Sequence, residues 1–393
     1  MWKSIFKTSI RNDYTCQVVN TIDEIDRTLW EQLTRDASIY LSYLYLKALE
    51  DGMSNEISFK YLVFFNKQKE AVCCAVLQIV SFKLAELIQD RVPEALAEKV
   101  RYVLSEDRAL KLMICGNLFA CGETGIAHHS SLSKPIALSL VSGAIAEMYS
   151  DKNKQNKISF AVFKEFWPAS VSISDDLKKE SFKDFYIDVN MIVDIAMEWK
   201  SFDDYLNAMN TKYRTRAKNV LKKSEDVKSR DFSAFDIQKY SEQIKILYKQ
   251  VLQRVEYSLG ELNTETFVYF KNNLKDDFVF TGYFVQDKMI GFSTAFVSKE
   301  FVDANFIGID YDYLKGYKLY QRILYDYVAL AIIKGTQSLR LGRTAETIKS
   351  GVGAQPIAMK LYTRHRNCIS TELMGPVLNA IKPKEYELRT PFK

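Results

Sequence analysis

The sequence predicts an α/β (α+β) protein with two tandem copies of one unit. Three observations lead to this prediction. Extended runs rich in β-branched and aromatic residues alternate with longer amphipathic segments. The order hairpin, strand, helix, strand occurs twice, and the two hairpins are offset by 220 residues, both from Phe65 to Val285 and from Ala71 to Gly291. Finally, a chain of 393 residues is long enough for two domains, so duplication explains length and order together.

The composition narrows the class of protein. Hydrophobic residues make up 47% of the chain and charged residues 26%, which supplies two cores and argues against disorder. The net charge of +5 is a weak excess and disfavours a dedicated nucleic-acid binder. Six cysteines without CxxC spacing and three histidines disfavour disulfide scaffolds and zinc sites, so no metal is expected.

The first copy is predicted to span residues 1–180. Apolar residues at helical spacing predict helices over 22–33 and 43–50. Two extended runs, 59–65 and 71–80, flank the polar turn 66–69 and predict an antiparallel hairpin. A helical period over 84–104 follows, then a strand at 110–115, a glycine-punctuated loop, a helix over 135–149 and a strand at 157–163.

The second copy is predicted to span residues 181–393 and to contain a helical insertion at 201–275. Three helices are predicted in the insertion, over 205–223, 240–257 and 264–273. The hairpin 278–285 and 289–297, the strand 301–309, the helix 319–334 and the strand 338–341 then repeat the order of the first copy.

The chain is expected to be a cytoplasmic protein. Its N-terminal apolar stretches are interrupted by polar residues every few positions, unlike a signal peptide. The longest apolar runs, such as 71–80, are much shorter than the ~20 residues that span a bilayer.

Three stretches in the second copy resemble a known family. They are SFDDYLNAMNTKYRTRAKNVLKK at 201–223, GIDYDYLKGYKLYQRILYDYVALAIIKG at 308–335 and LGRTAETIKSGVGA at 341–354. Together with the element order, they resemble the GNAT acyltransferase superfamily, and in particular its FemAB-like branch of bacterial tandem-GNAT transferases associated with peptidoglycan peptide synthesis.

The resemblance implies transfer of an acyl or aminoacyl group to an amine, with a donor that is a co-substrate and no tightly bound cofactor. In this fold the donor carbonyl bonds to a strand backbone, here at Gly308 and Ile309, and its phosphates lie at the next helix. That turn contains Lys315, Gly316 and Lys318. GNAT enzymes that use acetyl-CoA usually show Gln/Arg-x-x-Gly-x-Gly/Ala there, and this chain keeps one of the glycines. The donor is therefore open between acyl-CoA and aminoacyl-tRNA.

Several polar residues are candidates for the chemistry. An amine must lose a proton before it attacks a carbonyl, and Glu346 or Asp312 is the candidate base. The alternative for Asp312 and the neighbouring Asp310 is helix capping. Tyr317 is a candidate acid for the leaving group. Candidate substrate contacts are Arg343, Lys349, Asn117 and Glu123, while the alternative for 341–351 is a surface loop with a structural ion pair.

The segment 212–223 carries six basic residues and no acidic residue. It is either a phosphate-contacting surface or a solvated helix face whose charge is balanced by acidic residues elsewhere in the chain. The prediction from the whole chain is an N-acyltransferase that moves an acyl group from acyl-CoA to a small-molecule or peptide amine. The alternatives are a FemAB-type, tRNA-dependent aminoacyltransferase of cell-wall peptide synthesis and a catalytically silent GNAT-fold binding protein.

Overall fold

The computed structural model describes residues 4–7, 13–82, 110–149, 158–254, 260–367, 371, 372, 378 and 385–392. The chain divides into two compact units, each formed from three segments. Unit 1 comprises 1–187, 259–262 and 358–383, and unit 2 comprises 188–258, 263–357 and 384–393. The helical period predicted over 84–104 lies outside the described residues. No helix in the described ranges has both the length and the apolar character needed to cross a bilayer.

Unit 1 is built on a nine-stranded mixed sheet. Its strands are β1 Ser4–Lys7, β2 Thr15–Val19, β3 Ser58–Phe65, β4 Ala71–Phe82, β5 Leu110–Cys115, β6 Ile126–His128, β7 Phe160–Phe166, β8 Lys183–Phe185 and, from the far end of the chain, β16 Lys360–His365. The order is β1-β2-β3-β4-β5-β7-β16-β8, with β6 pairing β4. The predicted hairpin is confirmed as β3 and β4. Strands β5 and β7 are parallel, and their pairing continues to Cys115, the last residue of β5.

The helices of unit 1 are α1 Arg27–Thr34, α2 Tyr43–Met53, α3 Lys134–Tyr149 and the short α4 Val171–Ser174, with 3-10 turns at Ile22–Glu24, Ile39–Leu41, Pro168–Ser170 and Asp175–Glu180. The predicted helix over 22–33 is divided in two, because Asp26 accepts a hydrogen bond from Leu29 N and begins α1 there. Side chains of α3 such as Val141 and Ile145 pack with β-strand residues in the core of this unit.

A polar network holds β16 in the sheet of unit 1. The Lys360 ammonium lies 2.9 Å from Asp175 Oδ1 and 3.0 Å from Asp184 Oδ2. The Tyr362 hydroxyl donates to Asp175 Oδ1 at 2.7 Å. That hydrogen bond, followed by those from the lysines, lowers the pKa of Asp175 to about 2. The C-terminal strand is thus fixed by ionic contacts as well as by strand pairing.

We expect Lys360→Met to lower the free energy of unfolding at pH 7 by roughly 1 to 2 kcal/mol, because it removes the more buried of the two lysines that bridge Asp175 and Asp184 and leaves them only the half-exposed Lys178. Since the pKa of Asp175 is lowered on folding, its contribution is present above the unfolded-state pKa of about 3.9 and is lost as pH falls toward 2. Urea denaturation of variant and wild type should therefore differ less at acidic pH. Lys179→Met, at an exposed ion pair, should change stability by less than about 0.5 kcal/mol, and an equal loss there would contradict the assignment.

Unit 2 contains a seven-stranded sheet with the order β10-β11-β12-β13-β14-β9-β15. Its strands are β9 Val189–Asp194, β10 Val227–Asp231, β11 Phe278–Val285, β12 Lys288–Val297, β13 Phe301–Ile309, β14 Ser338–Arg340 and β15 Gln355–Ala358. The second predicted hairpin is confirmed as β11 and β12. Strands β13 and β14 are parallel but share only three residue pairs, from Phe301 with Ser338 to Asp303 with Arg340.

Helices cover both faces of this sheet. They are α5 Phe202–Ala208, α6 Thr211–Lys223, α7 Ala234–Lys239, α8 Ser241–Leu252, α9 Thr266–Leu274, α10 Tyr311–Tyr317, α11 Leu319–Ile333 and α12 Glu346–Ser350, with a 3-10 turn at Lys275–Asp277. On one face, α8 lies so close to β13 that a Cβ on Gly308 would be 2.2 Å from the Phe292 ring and 2.9 Å from Leu247 Cβ. On the other face, α11 packs through Leu319 and Ile323 with α5 and α6.

The architecture differs from the sequence prediction in three places. The insertion 201–275 contains a strand, β10, which extends the sheet beside β11. The division at residue 180 places β8 in the second copy, but β8 belongs to the sheet of unit 1. Strand β16 also joins that sheet, so the second copy is not continuous to residue 393. A strand pairs through backbone groups with a distant partner, and this leaves little local signal in the sequence.

Candidate functional site

Strands β13 and β14 separate and leave one edge of β13 open. Strand β14 ends at Arg340, whereas β13 continues to Ile309 and stays paired with β12 up to the pair Gly291 and Ile309. Asp310 N donates to Ile290 O at 2.8 Å. Because backbone groups alternate along an antiparallel strand, those of Ile307 and Ile309 point away from β12, toward the side that β14 has left. Of the two predicted strand contacts, Ile309 thus lies at the open edge together with Ile307, whereas the backbone groups of Gly308 face Phe292 on β12 and are not available there.

A cleft of about 670 Å³ lies beside this edge, a volume in the usual range for small-molecule sites. Its walls come from β13, α8, the segment 311–321 and the segment that begins α12. The lining residues are Val251, Arg254, Ile307, Ile309, Tyr311, Leu314, Lys315, Lys318, Tyr320, Gln321, Thr344, Ala345 and Ile348.

The N-terminus of α11 faces this cleft. Lys318 adopts a left-handed conformation with φ 54°, and no side chain caps the helix that follows it. The first backbone bond of α11 is Arg322 N to Lys318 O, so the N–H groups of 319–321 have no partner within the helix. Lys315 and Lys318 place two ammonium groups in the same lining. This arrangement is suited to bind phosphate oxygens.

Helix α10 corrects the predicted turn at 314–318. Residues Leu314–Tyr317 are helical, and only Lys318 leaves the helix. Asp310 is the N-cap: its carboxylate accepts from Asp312 N at 3.1 Å and forms an ion pair with Lys288 at 2.9 Å. Asp312 itself is exposed on the first turn. Asp310 is thus a capping residue, although of α10 and not of the predicted helix 319–334 for which capping was the alternative. Asp312 does not line the cleft.

Tyrosines other than the predicted one reach the cleft. Tyr317 stacks on Tyr313, with ring centroids 6.0 Å apart, and neither is in the lining. Tyr311 and Tyr320, in contrast, line the cleft. The pKa of Tyr320 is raised, mainly by burial and to a smaller extent by Tyr311 and by the charge of Glu346. Its phenol is therefore protonated at neutral pH. Glu346 itself is outside the lining, directly after the lining residue Ala345.

A left-handed segment forms the wall opposite α10. Gly342, Thr344 and Ala345 have φ values of 69°, 63° and 54°, and such conformations are uncommon for residues with a Cβ. They turn the chain so that α12 begins at Glu346, which is half-buried. The Lys349 ammonium donates to Arg343 O and is almost fully buried. Lys349 therefore closes this segment internally, and Arg343 is half-buried beside it.

At the end of β5 in unit 1 the strands stay paired up to Cys115 and Phe163, and the cavity there is smaller, about 160 Å³. The loop 116–125 makes several hydrogen bonds within its own unit. Asn117 is buried and its amide donates to the Tyr45 hydroxyl at 2.9 Å. Glu123 accepts from Trp167 N at 3.1 Å and pairs with Lys134. Glu165 accepts from Gly122 N at 2.8 Å. The Asn117 side chain is used within the loop and lines no cavity among the described residues, whereas Glu123 lines the small cavity of unit 1 while also holding the loop. Acceptor contacts by either residue stay a prediction.

Helix α6 presents the six predicted cations. Rows spaced by four residues run along two sides of the helix, with Arg214, Lys218 and Lys222 on one side. All of the cations are exposed except Arg214, which is half-buried. Within the described ranges no carboxylate lies within 4 Å of any of the six cations. The alternative interpretation, in which acidic residues elsewhere neutralise this helix, therefore gains no support there.

The cleft residues that were not singled out from the sequence include Val251, Arg254, Tyr311, Tyr320 and Gln321. Arg254 lies over the Tyr311 ring with its guanidinium carbon 3.7 Å from the centroid, and Gln250 accepts from Tyr311 N at 3.3 Å. These contacts connect the end of α8 to the start of α10. The apolar period of α8 is equally compatible with packing alone, so the sequence offered no signal for Val251 or Arg254.

Comparison with known proteins establishes the fold. No family model matches the chain, and no curated protein does. Among solved structures, FemX is 10% identical with a TM-score of 0.56, covering 89% of this chain and 98% of FemX. A tandem GNAT protein from the clavulanic acid biosynthesis pathway is 9% identical with a TM-score of 0.51, covering 90% of this chain and 99% of that one. The DUF2156 domain of a protein from Agrobacterium fabrum is 12% identical with a TM-score of 0.50, covering 91% and 97%. The chain has the tandem GNAT fold, as the resemblance implied.

Proposed function

We propose that the chain is an N-acyltransferase that moves an acyl group from an acyl-CoA thioester to an amine. The observation that carries the proposal is the open edge of β13 beside the uncapped N-terminus of α11, with Lys315 and Lys318 in the same cleft. An acyl-CoA has a carbonyl to place at such an edge and phosphates to place at such a helix end. The sparse, free and mostly buried cysteines suit the cytoplasm.

The reaction needs positioning more than covalent participation by the protein. The N–H groups of Ile307 and Ile309 polarise the carbonyl, and the amine nitrogen attacks its carbon. The new C–N bond forms as the C–S bond breaks. Glu346 takes the proton that the amine loses, and the Tyr320 phenol donates to the departing thiolate. Tyr320 replaces Tyr317 in this role because it lines the cleft.

Calorimetry with CoA and with acyl-CoA tests the proposal. We expect both ligands to bind at one site per chain, in competition with each other. Absence of binding by CoA, by its thioesters and by charged tRNA would refute a transferase. Binding without turnover on any amine of a broad panel would favour the silent binding protein.

An aminoacyl-tRNA donor is the second candidate, and helix α6 favours it. Six cations on two sides of one helix, with no ion-pair partner among the described residues, exceed what the phosphates of CoA require, whereas an RNA backbone presents a phosphate at every nucleotide. Helix α6 packs against α10 and α11, which carry the phosphate-binding end of the cleft.

The two donors are distinguished by the double variant Lys218→Gln, Lys222→Gln. If tRNA is the donor, we expect the slope of log Kd against log salt to fall by about 1.5, because two phosphate contacts are lost. CoA binding should be unchanged, which also checks folding. A slope for tRNA that is identical in variant and wild type would count against a donor role for α6.

A further inference from the structure

We propose that the transferred group is an uncharged, apolar acyl chain of several carbons, with Val251 and Ile348 as specificity-determining residues. This inference rests on the proposed acyltransferase function and narrows its substrate class. It comes from the character of the cleft beyond the open edge of β13.

The cleft walls are apolar on several sides. Val251 comes from α8, Ile307 from β13, Leu314 from α10 and Ile348 from α12. All four are only partly buried while packing against the core of unit 2. Apolar surface that converges in a cavity and remains partly in contact with water is stabilised when a ligand covers it. An acetyl group offers a single methyl for this purpose, whereas a longer chain reaches more than one wall.

The charges in the cleft favour an uncharged group. Among the residues that the structure describes, the lining contains three cations, Arg254, Lys315 and Lys318, and no carboxylate. Lys318 is beside the N-terminus of α11, where the phosphates are expected, and Arg254 is stacked on Tyr311. Three carboxylates adjoin lining residues in the sequence, Asp310, Asp312 and Glu346, and all three are outside the lining. An aminoacyl group carries an ammonium at neutral pH, and it would meet the cations of the lining, since Asp310 is paired with Lys288 and Glu346 is assigned to the attacking amine.

Val251 and Ile348 are the residues that we expect to contact the acyl chain and to select its length. They belong to α8 and α12, whereas the phosphate-binding groups belong to α10 and α11. A donor whose phosphates are at the α11 N-terminus and whose carbonyl is at β13 directs its acyl chain away from the lysines. The apolar lining residues outside β13, α10 and α11 are Val251, Ala345 and Ile348, and the proposal places the acyl chain against them.

The test is calorimetry with CoA and its acetyl, butyryl, hexanoyl and succinyl thioesters. We expect Kd to fall about fourfold for each buried methylene, which corresponds to ~0.8 kcal/mol, so butyryl-CoA should bind about 15-fold more tightly than acetyl-CoA. An equal affinity for acetyl-CoA and hexanoyl-CoA, or a preference for succinyl-CoA, would overturn the inference while leaving acyltransfer intact. Failure of CoA and of every thioester to bind would instead refute the proposed function.

Two variants test where the acyl chain binds, and a third variant serves as the control. Val251→Phe and Ile348→Phe each fill the cavity from a different element, so both should weaken hexanoyl-CoA at least tenfold and leave CoA unchanged. Ile246→Phe enlarges an apolar side chain on the same helix as Val251, but at an exposed position, and should change neither affinity. Unaltered CoA binding shows that each variant is folded. If both cavity variants still bind hexanoyl-CoA tightly, the acyl chain binds at another place.

Discussion

Glu346→Gln is expected to lower kcat by about 10²- to 10⁴-fold, the usual contribution of a positioned general base. The amide keeps the size of the side chain and cannot take the proton from the attacking amine. Glu346 is half-buried at the first position of α12, directly after the left-handed residues Thr344 and Ala345 that line the cleft. Its charge contributes to the raised pKa of Tyr320. We therefore expect donor affinity to stay within twofold of wild type while turnover is lost.

The measurement is release of CoA thiol from an acyl-CoA with the best amine of a panel of amino acids, amino sugars and polyamines. Asp287→Asn removes a carboxylate from the exposed turn between β11 and β12 and should leave kcat unchanged. Asp312→Asn tests the competing base. Because Asp312 is exposed and outside the lining, a large loss in that variant with a small one in Glu346→Gln would reverse the assignment.

The fold was largely predictable because it is formed by local patterns that repeat. Both hairpins show alternating apolar residues around a polar turn, and β13 and α11 begin within a residue of their predicted positions. Helix α10 was missed since Gly316 and a run of tyrosines indicate a turn, while the cap that begins the helix depends on the single side chain of Asp310.

The site was only partly predictable because its walls come together through tertiary structure. Lys315, Lys318 and Ile309 were found since the resemblance covers that stretch. Val251 and Arg254 lie far earlier in the chain, and they reach the cleft only because α8 packs across β13, where Gly308 has no side chain. Lys349 was misleading for a related reason. A lysine in a glycine-rich segment suggests a ligand contact, yet the turn it closes requires its ammonium.

The double variant Lys315→Met, Lys318→Met is expected to raise the Kd for CoA by about 150-fold, since each charge-assisted contact to a phosphate contributes on the order of 1.5 kcal/mol. Methionine retains the aliphatic length at both positions. Lys318 has a positive φ, and an unbranched side chain at that position avoids adding backbone strain. The remaining attraction for phosphate is that of the N–H groups of α11, which the substitutions do not remove.

An acyl-pantetheine probe separates the loss of charge from a loss of structure. It carries the thioester and lacks the nucleotide pyrophosphate, so its affinity should be equal in wild type and variant. The affinity for CoA should also become less sensitive to salt in the variant, because fewer ionic contacts remain to be screened. Lys299→Met removes a cation at the exposed turn between β12 and β13 and should affect neither probe. Equal weakening of CoA and acyl-pantetheine would mean that the lysines support the shape of the cleft, and the phosphates would then have to bind at another part of unit 2.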